Sequence, residues 1–226
     1  MHTPKKALLL IGSPKLTRST SESLGTYLLD NISARGVETE KILIAQAVRN
    51  EKGIDGLVKA LDRSDLIILA FPLYIDSLPY PVIKALELIA CHWQSAGLPG
   101  KKRLVALCNC GFPEAKHTDT ALAMCRQFTR ETGIEWAGGL GLGGGEAIDG
   151  RHLNERGGMV KNVKRSLEIT ADALSRGEAV PEEAVKLMSK RLIPVWLYLL
   201  FGGFGWKRRA RKYGAIDKMF DQPYLG

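Results

Sequence analysis

From residue 11 the chain reads Ile11-Gly12-Ser13-Pro14-Lys15-Leu16-Thr17-Arg18-Ser19-Thr20-Ser21, which sets five hydroxyl side chains and two cations within eleven residues. Donors and positive charge crowded onto one turn suit an anion with several acceptor oxygens, and a phosphomonoester is such an anion. Gly12 permits a sharp turn and Pro14 fixes one torsion. Leu24, Leu28 and Ile32 then recur at helical spacing, so the turn opens a helix. Its first-turn amides and the positive end of its macrodipole would face the same anion. Neither GxxxxGK[ST] nor GxGxxG follows the first strand, which excludes the two better-known phosphate loops. An ordinary strand-to-helix turn with a hydroxyl cap has similar residues, so this loop alone leaves both readings open.

Two further loops carry unusual groups. Phe71-Pro72-Leu73-Tyr74-Ile75-Asp76-Ser77-Leu78-Pro79-Tyr80-Pro81 holds three prolines after its first residue and places apolar and aromatic groups at a strand end, where a flat ring could cover them. The same residues also suit a helix-leading turn packed on its own protein. Asn109-Cys110-Gly111-Phe112-Pro113-Glu114 combines a polar residue with a glycine that permits close approach of a ligand edge. The glycine-rich run 138–145 could add close contacts or simply be a loose loop.

These loops need strands and helices to hold them. Apolar patterning places strands near 6–11, 37–44, 65–71, 103–110 and 135–142, and helices near 19–34, 54–61, 81–96, 118–132 and 155–176. Strand–helix alternation implies a parallel α/β sheet with right-handed crossovers and helices on both faces. Ligands of such sheets sit beyond the carboxyl ends of the strands, where all three loops lie.

Composition sets the outer bounds. With 226 residues, 45% hydrophobic and 25% charged, the chain fits a globular α/β domain plus an appendage. The opening apolar run, Ala7 to Ile11, is too short for a signal-peptide core, so a cytoplasmic location is expected. Cys91, Cys108, Cys110 and Cys125 form no CxxC, and the four histidines show no paired spacing, so no metal site is expected. Cys108 and Cys110 would share one face of a strand as small core residues.

Taken together, Gly12-Ser13-Pro14-Lys15 with Ser19-Thr20-Ser21, then Pro72-Leu73-Tyr74 with Leu78-Pro79 and Lys84, resemble the NADPH-dependent FMN reductase family over roughly residues 5–177. The resemblance implies a flavodoxin-like three-layer sandwich with strand order 2-1-3-4-5. It assigns Ser13, Lys15, Ser19, Thr20 and Ser21 to the FMN phosphate. It sets Pro72, Leu73, Tyr74 and Ile75 along the isoalloxazine, with Asn109, Cys110, Gly111 and Phe112 bordering its other side. Lys15 stands where the family commonly has arginine. The implied activity is hydride transfer from NADPH or NADH to FMN and onward to a quinone, azo, flavin or protein acceptor, by a homodimer. An FMN electron carrier is the alternative, although carriers of that kind are typically acidic and this chain has a pI of about 9.4. Related flavoproteins with an iron–sulfur centre carry a compact cysteine cluster that this sequence lacks.

Residues 178–226 fall outside the resemblance yet hold half of the net charge of +8. Within them, Leu192 to Trp206 is an uncharged apolar run, and Lys207, Arg208, Arg209, Arg211 and Lys212 follow at once. The run is short of the roughly 20 residues that span a bilayer. Packing on the domain, a dimer contact, or peripheral contact with a membrane through 192–212 would each explain it. A membrane-surface flavoprotein serving a lipid-soluble quinone is one consequence. No nucleic-acid-binding pattern accompanies the cations.

Overall fold

The computed structural model describes residues 3–15, 17–97 and 100–222, with the backbone alone at Phe201. Lys6–Ile11 (β1) and Leu66–Pro72 (β3) are apolar almost throughout because both faces of each strand are covered. Glu38–Leu43 (β2), Arg103–Asn109 (β4) and Glu135–Leu142 (β5) complete one five-stranded sheet, ordered β2-β1-β3-β4-β5 with every pairing parallel. This is the flavodoxin-like order expected from the sequence.

Alternate strand residues feed two cores. Leu9, Ile11, Ile68, Ala70 and Leu107 face Leu24, Leu28 and Ile32 of Thr20–Ser33 (α1), together with Lys161–Ser175 (α6) and Glu182–Met188 (α7). Leu8, Leu10, Leu69, Phe71 and Cys108 face the other layer. That layer consists of Ile44–Ala47 (α2), Glu51–Asp62 (α3), Tyr80–Ala96 (α4) and Asp119–Thr132 (α5). Cys108 is therefore the core residue expected of it.

Two expectations are corrected. The helix anticipated over 155–176 starts only at Lys161. Leu153–Val160 instead forms 3-10 turns broken at Gly157, whose φ of 59° no regular right-handed helix accommodates. The compact unit also continues past the boundary placed at Gly177, to Leu192. Val180 donates its amide to Ala137 O at 2.8 Å and fills the space beside Gly138, while Ala184 and Met188 are buried in the α1 layer. Residues 178–192 thus belong to the sheet domain, and the second unit begins at Ile193. In that unit, Val195–Lys212 forms one helix (α8), followed by a 3-10 turn over Ile216–Lys218.

Lys102, at the entry to β4, is only 3% exposed. Its ammonium donates to the carbonyl oxygens of Leu61, Asp62 and Ser64 at 2.8, 2.9 and 2.8 Å, and so closes the C-terminal end of α3 where the macrodipole is negative. Replacing Lys102 with methionine keeps the stem and strands those carbonyls. Urea unfolding should show a loss of roughly 2–4 kcal/mol, the scale of unpaired buried acceptors; an unchanged midpoint would mean that water replaces the ammonium.

Candidate functional site

β1 ends at Ile11, and Gly12 turns the chain out of the sheet with its amide on Ala70 O at 2.7 Å. A Cβ at Gly12 would lie 2.3 Å from Val82 Cγ2 and 2.9 Å from Phe71 Cβ, so only glycine lets this exit pass over β3 and α4. Ser19 then caps α1. Its Oγ accepts the Glu22 amide at 3.1 Å, and its carbonyl accepts the Ser23 amide at 3.0 Å. The helix supplies no acceptor for the amides of Thr20 and Ser21, which point out of its N-terminus.

The hydroxyls of this turn are tied to neighbouring loops. Thr20 Oγ1 donates to Gly145 O at 2.8 Å, and Ser21 Oγ donates to Asn109 Oδ1 at 2.7 Å. Ser13 Oγ accepts the Lys15 amide at 3.3 Å. Thr20 and Ser21 have thus committed their hydroxyl protons, whereas Ser13 and Ser19 use only acceptor lone pairs and keep theirs for an anion, beside backbone amides, the Lys15 ammonium and the Arg18 guanidinium.

β3 and β4 run in register to Pro72 and Asn109, and Leu73 N donates to Asn109 O at 2.8 Å, so both exits leave together. Tyr74 and Ser77 exchange two backbone hydrogen bonds, each 3.0 Å long, around Ile75 and Asp76, whose φ angles are 49° and 56°. Two left-handed residues in a two-residue hairpin normally call for Asn-Gly, not a β-branched residue. On the other side, Gly144 and Gly145 donate to Phe112 O and Cys110 O at 2.6 and 2.8 Å, and a Cβ at Gly143 would fall 2.3 Å from Pro113 O. These glycines of the run 138–145 brace the loop after β4 from behind.

The three loops enclose a cavity of about 530 Å³, within the usual range for a ligand of cofactor size. One end carries Ser13, Lys15, Arg18, Ser19, Thr20 and Ser21. Pro72, Leu73 and Tyr74 form one wall, and Asn109, Cys110 and Gly111 form another. Eleven of the thirteen anticipated residues thus meet in one place: Ile75 projects from its hairpin at 98% exposure, and Phe112 stands outside, its ring 4.6 Å from that of His117. Glu146, Asp149 and Gly150 also line the cavity. They come from the loop after β5, which carries no motif of its own. The atoms nearest a Cβ built at Gly111 belong to the Glu146 side chain, from 3.4 Å outward, so the wall at this point is backbone at ordinary contact distance from its neighbours. Burial pushes the Cys110 thiol above its ordinary pKa, which makes it a neutral, weakly polar part of the wall. A second hollow of about 610 Å³, flanking α1 around Glu22, Lys41 and Glu155, shares Arg18 and Gly150 but has no comparable apolar wall. Among the described residues, no group of His, Cys, Asp and Glu is placed to hold a metal ion.

No family model matches this chain, and no curated protein matches it in sequence. Solved structures do match in fold. An FMN-dependent NADH-azoreductase from Bacillus anthracis, in complex with FMN, aligns at TM-score 0.56 and 14% identity over 75% of this chain and 99% of that one. An NADH:FMN oxidoreductase aligns at 0.56 and 17% over 84% and 96%. An NAD(P)H:quinone oxidoreductase from Methanothermobacter marburgensis aligns at 0.55 and 13% over 74% and 96%. At such identities the likeness establishes a shared flavodoxin-like fold.

Ser21→Ala should leave Asn109 unpaired in a buried setting and cost about 1–3 kcal/mol in denaturant unfolding. Ile75→Asn combined with Asp76→Gly should instead raise stability by about 1–2 kcal/mol by relieving two left-handed positions. A thermal midpoint that falls in the double variant would show that the hairpin is not strained.

Proposed function

We propose that this protein binds FMN at the carboxyl edge of its sheet and acts as an NAD(P)H-dependent flavin oxidoreductase. The observation that carries the reading is one cavity with amides and cations at one end and flat apolar and bare-backbone walls at the other. That pairing fits a ligand with a phosphate tail and a rigid ring. The named activities of the three structural neighbours point the same way.

In this reading Lys15, Arg18, the hydroxyls of Ser13 and Ser19 and the amides at the start of α1, those of Thr20 and Ser21 among them, hold the phosphate, while the Thr20 and Ser21 side chains keep the turn in shape around it. Pro72, Leu73 and Tyr74 lie along one face of the ring and Asn109, Cys110 and Gly111 border the opposite edge, with Ile75 and Phe112 outside the cavity. FMN, when bound, supplies the chemistry of accepting a hydride from NADH or NADPH and passing electrons to a quinone, azo, flavin or protein acceptor. The chain's own part is to place the ring, limit water around it, and aim backbone donors near Gly111 at its polar edge. Tyr74 and Ile75, at 47% and 98% exposure, leave the outer face open to a second planar molecule.

The same exposed rim, with Tyr80 and Phe112 at 71% and 52%, is the surface we assign to a second copy in a homodimer. Four free thiols suit a reducing, cytoplasmic compartment.

Titrating the purified protein with FMN and then adding NADPH or NADH without oxygen should give a bound flavin spectrum that bleaches. Binding without bleaching would favour an electron carrier, and absence of binding would overturn the assignment. Gly111→Val separates the site from the fold: the nearest neighbour of the new Cβ is the Glu146 side chain at 3.4 Å, so the thermal midpoint should hold while FMN affinity falls at least about tenfold, or roughly 1.4 kcal/mol.

A further inference from the structure

We infer that α8 docks the protein on an anionic membrane surface, with lipid phosphates as the ligands of Lys207, Arg208, Arg209, Arg211 and Lys212. The argument needs only residues 193–222, taken by themselves. They form one helix and one 3-10 turn, too little structure to enclose a core, yet they carry Trp196, Leu199, Leu200, Phe204 and Trp206 at 61–72% exposure.

The arrangement of these groups selects the surface. Helix α8 contains no Asp or Glu in its 18 residues, and its five cations all fall after Trp206. Apolar residues before that point occupy every side of the helix, so charge and apolarity are separated along its axis, not around it. A groove on another protein reads a stripe along one helix face, which α8 lacks; an apolar end followed by a basic end matches the step from lipid interior to phosphate headgroup. The uncharged stretch 195–206 is about 18 Å long at roughly 1.5 Å per residue, well under the roughly 30 Å hydrocarbon thickness. No helix among the described residues is long and apolar enough to cross a membrane. Two tryptophans and Tyr198 have the apolar body and polar tip that favour the headgroup boundary, next to cations that favour lipid phosphate.

The glycines agree. Gly202, Gly203 and Gly205 have nothing within 4 Å of a built Cβ, so no packing contact requires them. Each weakens the helix relative to alanine. A helix so loosely specified gains most from a surface that accepts many depths and tilts. Six cations against two acids across residues 193–226 supply the charge complementarity.

The test uses the full chain with vesicles of phosphatidylcholine alone or mixed with phosphatidylglycerol. Cosedimentation should be at least about tenfold tighter on the anionic vesicles, should fall as salt is raised, and should shift tryptophan emission to the blue. Arg208→Glu with Arg209→Glu and Arg211→Glu should abolish that preference, and Trp196→Ala with Trp206→Ala should weaken binding to both vesicle types; circular dichroism checks that each variant is folded. Equal binding by the wild type and the charge-reversed variant overturns the proposal. So does a failure to bind vesicles, including the case of a concentration-dependent dimer that only the tryptophan variant disrupts, which would assign the helix to a second copy. None of these readings depends on flavin.

Discussion

The hydrogen bond from Ser21 to Asn109 fixes the distance on which the candidate site depends. β1 and β4 are not neighbours; β3 lies between them. Loops leaving non-adjacent strands have no ladder to hold them together, so their spacing must come from side chains. Ser21 is 1% exposed and Asn109 7%, and in that setting a hydroxyl–amide pair is costly to break because neither group can turn to water. Thr20 makes the same kind of tie to Gly145 beyond β5. Two consecutive residues at the start of α1 therefore set where the cationic end of the cavity stands relative to its other walls.

Backbone strain is concentrated at the same edge. Among the described residues, the non-glycine positions with left-handed φ are Arg18, Ile75, Asp76 and Asp149, and all four sit in loops at the carboxyl ends of the strands. Such conformations persist only where surrounding contacts over-determine them. For Arg18 the contact is explicit: a Cβ at Gly150 would lie 1.9 Å from Arg18 O, so the loop after β5 closes directly on the turn after β1. The donation from Arg156 to Ala147 O secures that loop in turn. Sheet pairing alone would not arrange the loops in this way.

These couplings also mark the limit of what the residues reveal in order. β1, β3 and β4 are legible because a strand covered on both faces must be apolar almost continuously, and Gly12, Pro72 and Gly111 punctuate their ends. Strand order and the meeting of three loops follow from the alternation and the family resemblance. Helix α7 is a different case. Ala184 and Met188 carry the domain beyond Gly177 by packing into its core, but two buried positions on a seven-residue helix are too short for a periodic signal, so the sequence does not announce it. Gly157 looks like any tolerated glycine until its φ is known. The composition of residues 19–21 announces hydrogen-bond donors, but the partners of two of them lie 88 and 125 residues away, and no local pattern encodes that distance.

The cysteine that lines the cavity bears on its chemistry. Its cysteine is held in the neutral thiol form by burial, the reverse of the shift that activates a nucleophile. Cys108 and Cys125, deeper in the α5 layer, are shifted in the same direction, the latter to about 12. Lys15 and Arg18, beside the start of α1, supply the cations of the cavity lining. In the proposed reading, directional donors at one end and low-polarity walls at the other would orient a flavin, the protein would contribute placement and electrostatics, and the reactive atom would arrive with the ligand.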